Sequence, residues 1–208
     1  MFLTLPPEIV IHWIIPNLTD RERLNLVSVS KPVQTLYRSH IYFTNQVAVE
    51  ENHVSTWYFH QLRNIWTSLT VFPGQITHLT FNYDFNQCFT TPLPSSITHL
   101  VFGHTFSKSI KGILPSELRY LEFGYWFNEE LGEITPEGAV LYLPYGLSHL
   151  VFQYMCPYDL PAMIPSTVTH LTIHRYIKIA GPSPLSQMPL TVTHLMITGV
   201  QILPKQLV

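Results

Sequence analysis

Five histidines and one tyrosine occupy the same position in a phrase that recurs along the sequence: His78, His99, Tyr120, His149, His170 and His194. Imidazoles can bind metal ions or carry protons near neutral pH. A metal site needs ligands that converge on one point, whereas side chains repeated on neighbouring strands lie in a line, with ~4.7–4.9 Å between strands. We therefore predict no metal site and expect a ladder of stacked, neutral rings, bonded to backbone groups or threonine hydroxyls. The same ladder is our candidate contact surface for a protein partner, a role that is compatible with stacking.

A second group of residues that could do chemistry is a run of four acids, Glu129, Glu130, Glu133 and Glu137. Paired carboxylates can act as general acid and base. Glycine and proline interrupt the run, which is typical of a solvated loop; an acidic edge that recognises a basic partner is the alternative. The sequence also lacks the GxGxxG, GxSxG and HExxH patterns of nucleotide-binding proteins, hydrolases and zinc proteases. We predict that the chain is not an enzyme, with no catalytic residue and no cofactor.

The element that positions the histidines is a nine-residue phrase: proline, two variable residues, an aliphatic, any residue, usually histidine, leucine, any residue, and phenylalanine or isoleucine. Its copies begin at Pro73, Pro94, Pro115, Pro144, Pro165 and Pro189. Successive copies are separated by 21, 21, 29, 21 and 24 residues. A period in the twenties is typical of a solenoid, in which each coil buries its apolar face against its neighbours. The leucine-rich-repeat spacing predicts one short parallel strand per coil, a turn at the proline, and outer segments without full helices.

Two apolar positions of each copy should point into the solenoid. The first column is Leu79, Leu100, Leu121, Leu150, Leu171 and Leu195. The second column is Phe81, Phe102, Phe123, Phe152, Ile173 and Ile197. Burying one such side chain contributes about 1.5–3 kcal/mol, so these columns should outweigh scattered surface pairs in stabilising the fold.

The first forty residues predict three short helices. Pro7 and Glu8 suit a helix start, and Thr19 with Glu22 forms a capping box for a second helix. The third helix starts after Ser30. Candidate apolar positions are Ile9, Trp13 and Ile14 or Ile15, then Leu24, Leu26, Val27 and Val29, then Val33, Leu36 and Tyr37. A unit of about 40 residues without disulfides or metal rarely folds alone, so we expect it to complete itself on another surface.

Three segments follow from these patterns: a helical unit at 1–40, a transition at 41–72 that covers the open end of the stack, and the repeats at 73–208. Within the transition, Ile41–Phe43 and Val47–Val49 suit strands, and Val54–Trp66 is a candidate aromatic-rich helix. Terminal units of repeat proteins are commonly atypical.

The amino-acid composition argues against several classes of partner. The net charge of −2 gives no electrostatic footprint for nucleic acid or an anionic membrane. Cys88 and Cys156 lie far apart without a CxxC pair, which argues against a disulfide scaffold or structural zinc. The apolar run Ile9–Ile15 is too short to span a bilayer and follows no basic leader. We therefore expect no nucleic-acid partner and no membrane insertion.

The N-terminal residues carry a resemblance to a known family. Leu5–Ile9, Ile14-Ile15, Leu18, Leu24 and Leu26–Ser30 resemble an F-box, with its leucine-proline start, paired aliphatics and later leucine-valine-serine run. The repeats resemble FNIP repeats, and Phe85-Asn86 and Phe127-Asn128 match the first two residues of that motif. The combination is similar to the F-box and FNIP repeat-containing proteins of slime moulds and of large DNA viruses that infect amoebae.

This resemblance implies an α+β fold, with a small helical F-box followed by a leucine-rich-repeat-like parallel β-solenoid of about six coils. It implies a substrate-recognition adaptor whose F-box docks on the Skp adaptor of a cullin ubiquitin ligase while the repeats bind an unknown protein substrate. The implied docking residues are Leu5, Pro6, Ile9, Ile15, Leu18, Leu24 and Val27. The implied location is the cytoplasm or nucleus, of the host cell if the protein is viral. A scaffolding solenoid unrelated to any ligase is the alternative.

Overall fold

Short parallel strands, one per coil, build the main sheet of this chain. The structure is a computed structural model that describes residues 5–54, 58–154, 160–174, 176–179, 189–198 and 200–203. In these ranges the strands are β1 Val47–Val49, β2 Asn64–Thr67, β3 His78–Phe81, β4 His99–Val101, β5 Tyr120–Phe123, β6 Gly132–Thr135, β7 Gly138–Leu141, β8 His149–Phe152, β9 His170–Ile173, β10 Tyr176–Ile179, β11 His194–Ile197 and β12 Val200–Leu203.

Eight of these strands pair in the order β1-β2-β3-β4-β5-β8-β9-β11, all in parallel. The register places equivalent repeat positions side by side, so His78 pairs with His99 and Leu79 with Leu100. Outside this sheet, β6 and β7 form an antiparallel hairpin, and β10 pairs with β12. The predicted parallel, solenoid-like stack of coils is therefore confirmed.

The proline of each copy closes the turn before each repeat strand. In all six copies the amide of the aliphatic three residues later donates to the proline carbonyl, over 3.0–3.3 Å. Examples are Ile76 to Pro73 and Val168 to Pro165. A proline lacks an amide but keeps its carbonyl as an acceptor, so it can begin this turn at no cost in hydrogen bonds.

Both predicted columns lie inside the stack for five coils. Leu100 and Leu171 are fully buried, and the strand phenylalanines are at most 3 % exposed. The first aliphatic of each copy adds a third buried column: Ile76, Ile97, Leu118, Leu147 and Val168. The prediction is wrong for Leu195, which is 46 % exposed, because β11 is the last strand in the sheet order and no described coil covers it.

Further phenylalanines thicken the core behind the strands. Phe85, Phe106 and Phe127 stack on the strand phenylalanines of their own coils at centroid distances of 4.0, 4.0 and 3.8 Å. The rings of neighbouring coils also stack, as Phe81 does on Phe102 at 5.7 Å. Large rings with little rotamer freedom thus fill the coil interior.

The helices are short and lie mainly at the N-terminal end. The described α-helices are α1 Pro7–Ile9, α2 Asp20–Ser28, α3 Lys31–Tyr37, α4 Glu51–Val54 and α5 Leu160–Met163. A π-helical turn, Val10–Ile14, and a 3-10 turn, Ile15–Asn17, extend α1; further 3-10 turns are Arg38–His40 and Phe59–Gln61. The predicted capping box forms at the start of α2, where the Thr19 amide donates to Glu22 Oε2 at 2.8 Å and the Glu22 amide to Thr19 Oγ1 at 3.3 Å.

The inward faces of these helices differ from the prediction. Five expected apolar positions are substantially exposed: Ile9, Trp13, Leu24, Val29 and Leu36. Val10 is buried instead, and Ile15, one of the two predicted alternatives, is buried as expected. In the first helix the π-helical turn causes this difference, since its i to i+5 bonding shifts the buried face away from an α-helical period. In α2 and α3 the prediction is confirmed for Leu26, Val27, Val33 and Tyr37, which are buried together with Arg23.

Residues 41–72 contribute β1 and β2, which extend the sheet beyond the repeats. The predicted strand at Val47–Val49 is confirmed, whereas Ile41–Phe43 provides only a single bridge from Phe43 to Leu62. The predicted helix over Val54–Trp66 is wrong: Val54 ends α4, and the described residues from 58 onwards contain a 3-10 turn and the start of β2. The register of β2 with β3 explains this, because Ile65 pairs with Leu79 and is buried in the leucine column.

A buried arginine joins the helices to the sheet. Arg23 is 4 % exposed and donates to the carbonyls of Ile15, Pro16 and Tyr42 at 2.9–3.2 Å. It also pairs with Asp20 at 3.0 Å, and the Asp20 carboxylate accepts the backbone amides after Tyr42, those of Thr44 and Asn45. One continuous hydrophobic cluster runs from Val10 to Ile173, so the helical unit completes itself on the start of the sheet. The division at residues 40 and 72 stays a prediction.

Candidate interaction surfaces

The repeated histidines form a ladder along the outer face of the sheet. We call His78, His99, Tyr120, His149, His170 and His194 the imidazole ladder. His78 stacks on His99 at 4.1 Å, and His170 stacks on both His149 and His194 at 4.2 Å, with planes within 13° of parallel. The predicted stacking of rings is thus present, while their contact with a substrate stays a prediction.

Each ladder histidine is tied to the residue before it. Nδ1 lies 2.9 Å from the hydroxyl oxygen of Thr77, Thr98, Ser148, Thr169 or Thr193, respectively. The hydroxyls lie near carbonyls of the preceding coil, so ring, hydroxyl and backbone are linked from coil to coil. This linkage holds the rings in one orientation and leaves Nε2 without a hydrogen bond to any described residue.

Tyr120 interrupts the ladder at its centre. Its hydroxyl donates to Glu122 Oε2 at 2.6 Å, and its ring is 5.8 Å from His99 and 6.3 Å from His149. Gln153 Nε2 donates to the other oxygen of Glu122. Burial and the neighbouring Glu122 carboxylate raise the pKa of Tyr120 well above its usual range, so the phenol stays a hydrogen-bond donor at physiological pH. The five histidines of the imidazole ladder therefore form one stack of two rings and one of three, on either side of Tyr120.

Partial burial also affects the imidazoles. Desolvation lowers the pKa of His78 below its ordinary value. Desolvation followed by the neighbouring imidazoles lowers the pKa of His99 and of His170. His78, His99 and His170 are therefore mainly neutral at neutral pH, which agrees with the prediction for these three rings. A shallow depression of about 220 Å³ lies beside it, lined in part by Asn64, Thr80 and Val101.

A second ring stack was missed by sequence reasoning. Tyr83, His104, Tyr125 and Tyr154 stack in succession at 4.4, 4.9 and 4.0 Å. Each lies two residues after the strand aromatic of its copy, so a column of tyrosine and histidine was visible in the sequence. Tyr83 is 66 % exposed, and Trp126, edge-on to Tyr125, is 61 % exposed. We call Tyr83, His104, Tyr125 and Tyr154 the tyrosine stack.

Two glycines allow the close coil-to-coil approach beneath the tyrosine stack. A side chain at Gly103 would overlap the carbonyl oxygen of Asn82, and one at Gly124 would overlap the carbonyl oxygen of Gly103. The amides of Thr105 and Trp126 bond to the preceding coil here, at 3.1 and 2.9 Å. Glycine is required at these positions because only it leaves room for the neighbouring backbone.

The helical unit presents apolar side chains of its own. Of the seven implied docking residues, Leu5, Pro6, Ile9 and Leu24 are exposed and Leu18 is half-buried. Ile15 and Val27 are 1 % and 3 % exposed, so they can only support such a surface from beneath. Trp13, which the resemblance did not include, is 70 % exposed.

An apolar pocket adjoins the helical unit at its junction with the sheet. It measures about 350 Å³ and is lined by Asp20, Arg21, Leu24, Phe43, Asn45, Val47, Tyr58 and Leu62. Leu24 thus belongs both to the exposed side chains of α2 and to this pocket. Such a concave apolar site beside exposed aliphatics is a suitable place for a partner to anchor a side chain.

Comparison with known proteins supports the repeat half of the resemblance. A family model described as the FNIP repeat matches residues 90–126, which include β4, β5 and the ladder residues His99 and Tyr120. This chain carries an FNIP repeat. FNIP repeats are typically involved in protein–protein interaction. No significant match was found among curated proteins or among solved structures.

The four acids between β5 and β8 follow the loop prediction only in part: Glu129 and Glu130 lie in a loop, as expected. A hairpin of β6 and β7 carries Glu133 and has Glu137 at its turn, in place of the expected loop. Lys111 pairs with Glu133 at 3.2 Å. Ile134 in the hairpin is 68 % exposed.

In the described part of the chain, the histidine, cysteine, aspartate and glutamate side chains form no group of three that could hold a metal ion. Within the same ranges, no helix has the length and apolar character needed to cross a membrane. Cys88 is an exposed free thiol, and Cys156 lies outside the described residues.

Proposed function

We propose that this chain is a substrate-recognition adaptor of a Skp–cullin–F-box-type ubiquitin ligase. In this proposal the N-terminal helices dock on the Skp adaptor, and the FNIP-repeat sheet binds a protein target. The chain itself performs no chemistry. It accelerates ubiquitin transfer by holding the target near the ligase, since proximity alone can contribute greatly to rate.

The observation that carries the docking half is the exposure of large apolar side chains on a short helical unit. Leu5, Ile9, Trp13, Leu24 and Leu36 are 38–70 % exposed although the unit is small. Exposed apolar groups gathered in one region are a mark of interaction sites. The apolar pocket beside Leu24 supports the same proposal, because it offers a partner an anchoring site.

The target-binding half is supported by the FNIP match and by the sheet. A parallel stack with repeated outward positions offers an extended surface, as repeat proteins commonly do. The imidazole ladder and the tyrosine stack both follow this repeat. The Arg23 junction supports a further part of the proposal, because a firmly packed helical unit would hold a bound target at a constant distance from the ligase.

The second candidate function is a scaffolding solenoid that does not act in a ligase. The continuous core favours it, because the helices also serve to cover the first strands of the sheet. The two functions differ in what the exposed helical residues do. A ligase adaptor needs them for binding the Skp adaptor, whereas a scaffold needs only the buried residues beneath them.

Co-purification distinguishes the two functions. The tagged chain, expressed in eukaryotic cells, should bring down Skp and cullin, and the Leu5→Asp, Leu24→Asp double variant should bring down neither. Ile134→Asp is the control, since Ile134 is also an exposed aliphatic but lies in the β6–β7 hairpin. Failure of the unmodified chain to bring down either protein, or full retention by the double variant, rules out the adaptor function.

A further inference from the structure

The carbonyls nearest the ladder hydroxyls each already accept hydrogen bonds from two backbone amides. The carbonyl of Thr77 accepts the amides of Thr98 and His99 at 2.9 and 3.0 Å. A carbonyl oxygen has two lone pairs, so the Thr98 hydroxyl, at 3.2 Å, meets an acceptor without a free site. In every coil whose ladder residue is a histidine, the amide of that histidine and the amide of the residue before it donate to one carbonyl of the preceding coil.

The hydroxyl proton therefore has its better acceptor in the imidazole. The distance from each hydroxyl to Nδ1 is 2.9 Å, whereas its distance to the carbonyl is 3.0–3.4 Å. Hydroxyl-to-oxygen bonds are usually about 2.7–2.8 Å long. We assign Nδ1 of the neutral rings as the acceptor, which puts the ring proton on Nε2.

Protonation of a ladder imidazole leaves its outward-facing Nε2–H donor unchanged. Nδ1 then carries a proton and donates to the hydroxyl oxygen, because a hydroxyl can accept as well as donate. Nε2 carries a proton in both charge states. The ladder thus always offers N–H donors to a ligand, and it gains positive charge as the pH falls.

Few fixed charges lie near the ladder. The outward positions of β2 to β5, β8, β9 and β11 contain no lysine or arginine, and their one acid is Glu122. Both oxygens of Glu122 already accept hydrogen bonds, from Tyr120 and from Gln153. Among the described residues, the cations on the adjoining turns are Arg63, bonded to Gln75, and Arg119, paired with the exposed Glu117. The charge of the face therefore depends mainly on the imidazoles.

Neighbouring imidazoles oppose each other's protonation. Rings 4.1–4.2 Å apart within a stack repel when both are charged. An anion placed along the ladder would offset this repulsion and would accept from the Nε2–H groups, in charge-assisted bonds. Such a ligand and the protons would bind cooperatively.

We propose that the imidazole ladder is the docking strip for an acidic, extended segment of the protein target, and that this segment binds together with protons. The inference rests on the proposed function, since it names the class of target that the FNIP-repeat sheet recognises. Five steps between ladder strands span roughly 24 Å at ~4.8 Å each. An extended chain of about seven residues covers that length.

Calorimetric titration with a polyglutamate peptide of about eight residues tests the proposal. Binding should tighten as the pH is lowered from about 8 to about 5.5. The change in affinity should approach about tenfold per pH unit for each proton taken up. Repeating the titration in buffers with different heats of ionisation counts those protons directly. A polyglutamine peptide of the same length is the control for charge.

Two variants locate the effect on the ladder. His99→Gln with His170→Gln removes one titrating ring from each stack and should flatten the pH dependence. His104→Gln is the matched control, because His104 is also stacked between aromatic rings but belongs to the tyrosine stack. Imidazole nitrogen NMR of the unmodified chain needs no variant: ladder resonances should show Nε2–H when neutral, and their pKa values should rise when polyglutamate binds.

Polyglutamate that fails to bind at every pH, or binds with one affinity throughout, overturns the inference. The same holds if the double variant retains the pH dependence or His104→Gln abolishes it. Co-purification of Skp with the same proteins separates this result from the proposed function. Loss of polyglutamate binding with retained Skp binding removes only the docking strip, whereas the reverse removes only the ligase role.

Discussion

The imidazoles of His78 and His99 lie parallel on adjacent strands, with centroids 4.1 Å apart and planes inclined by 11°. This contact results from the in-register pairing of β3 with β4, which places equivalent repeat positions side by side. The same register aligns Leu79 with Leu100 on the inner side of the sheet. Stacking on one face and column formation on the other therefore have one cause.

The leucine column should dominate the stability of the stack. Leu100→Ala should lower the free energy of unfolding by about 2–5 kcal/mol, because it leaves a cavity in a fully buried site. Leu195→Ala is the control at the equivalent position of the last coil, where the side chain is 46 % exposed. Urea unfolding followed by circular dichroism should show a much smaller loss there. Equal losses at the two positions would contradict the burial pattern.

Glycine at the coil-to-coil contact should be irreplaceable. Gly103→Ala should destabilise the chain, because the added methyl group overlaps the Asn82 carbonyl oxygen and the backbone must move. Gly74→Ala places its methyl group in open space, so it should be neutral or stabilise by up to about 1 kcal/mol. Thermal melting of the two variants compares them directly. A stable Gly103→Ala protein would show that the coils do not approach so closely.

The junction between helices and sheet should depend on Arg23. Arg23→Leu leaves the carbonyls of Ile15, Pro16 and Tyr42 without their donor and Asp20 without its cation. Removing one partner of a buried pair costs about 3–5 kcal/mol. Arg21→Leu, on the exposed side of the same helix, should change the unfolding free energy by less than about 0.5 kcal/mol. Similar urea midpoints for the two variants would mean that the junction is not a stabilising contact.

Stability should fall as the imidazole ladder is acidified. The pKa values of His78, His99 and His170 are lowered in the folded chain, whereas unfolded histidine titrates near about 6.5. The unfolded chain therefore takes up protons first, and this part of the stability is full above about pH 6.5 and lost as the pH falls through the folded pKa values. Urea midpoints at about pH 7.5 and about pH 5 measure the loss. His99→Gln should reduce it, and a midpoint that rises on acidification would reverse the sign.

Sequence periodicity was sufficient to predict the repeats because each copy repeats the same burial requirement. A leucine and an aromatic two residues apart, with a turn-forming proline six residues before the leucine, determine strand, direction and register. Leu195 departs from the pattern, since burial requires a further coil that sequence spacing alone does not supply. The strand β2 was also missed, because its sequence around Ile65 lacks the proline and histidine of the phrase.

The interaction surfaces were less predictable. Periodicity placed the ladder histidines outside, but the Nδ1 linkage of His99 to Thr98 depends on side-chain rotation and emerges only from the structure. The exposure of Ile9 and Trp13 depends on a π-helical turn that an α-helical period does not anticipate. The tyrosine stack was overlooked because it follows the strands, where side-chain direction depends on the turn.

The most direct test of the account is a titration of purified Skp adaptor into the chain by isothermal titration calorimetry. We predict a one-to-one complex, at least about tenfold weaker for Leu24→Asp, a loss of about 1.4 kcal/mol, and unchanged for Ile134→Asp. Leu24 decides the result because it is 47 % exposed on α2 and lines the apolar pocket. No binding by the unmodified chain, or equal affinity for Leu24→Asp, would contradict the account.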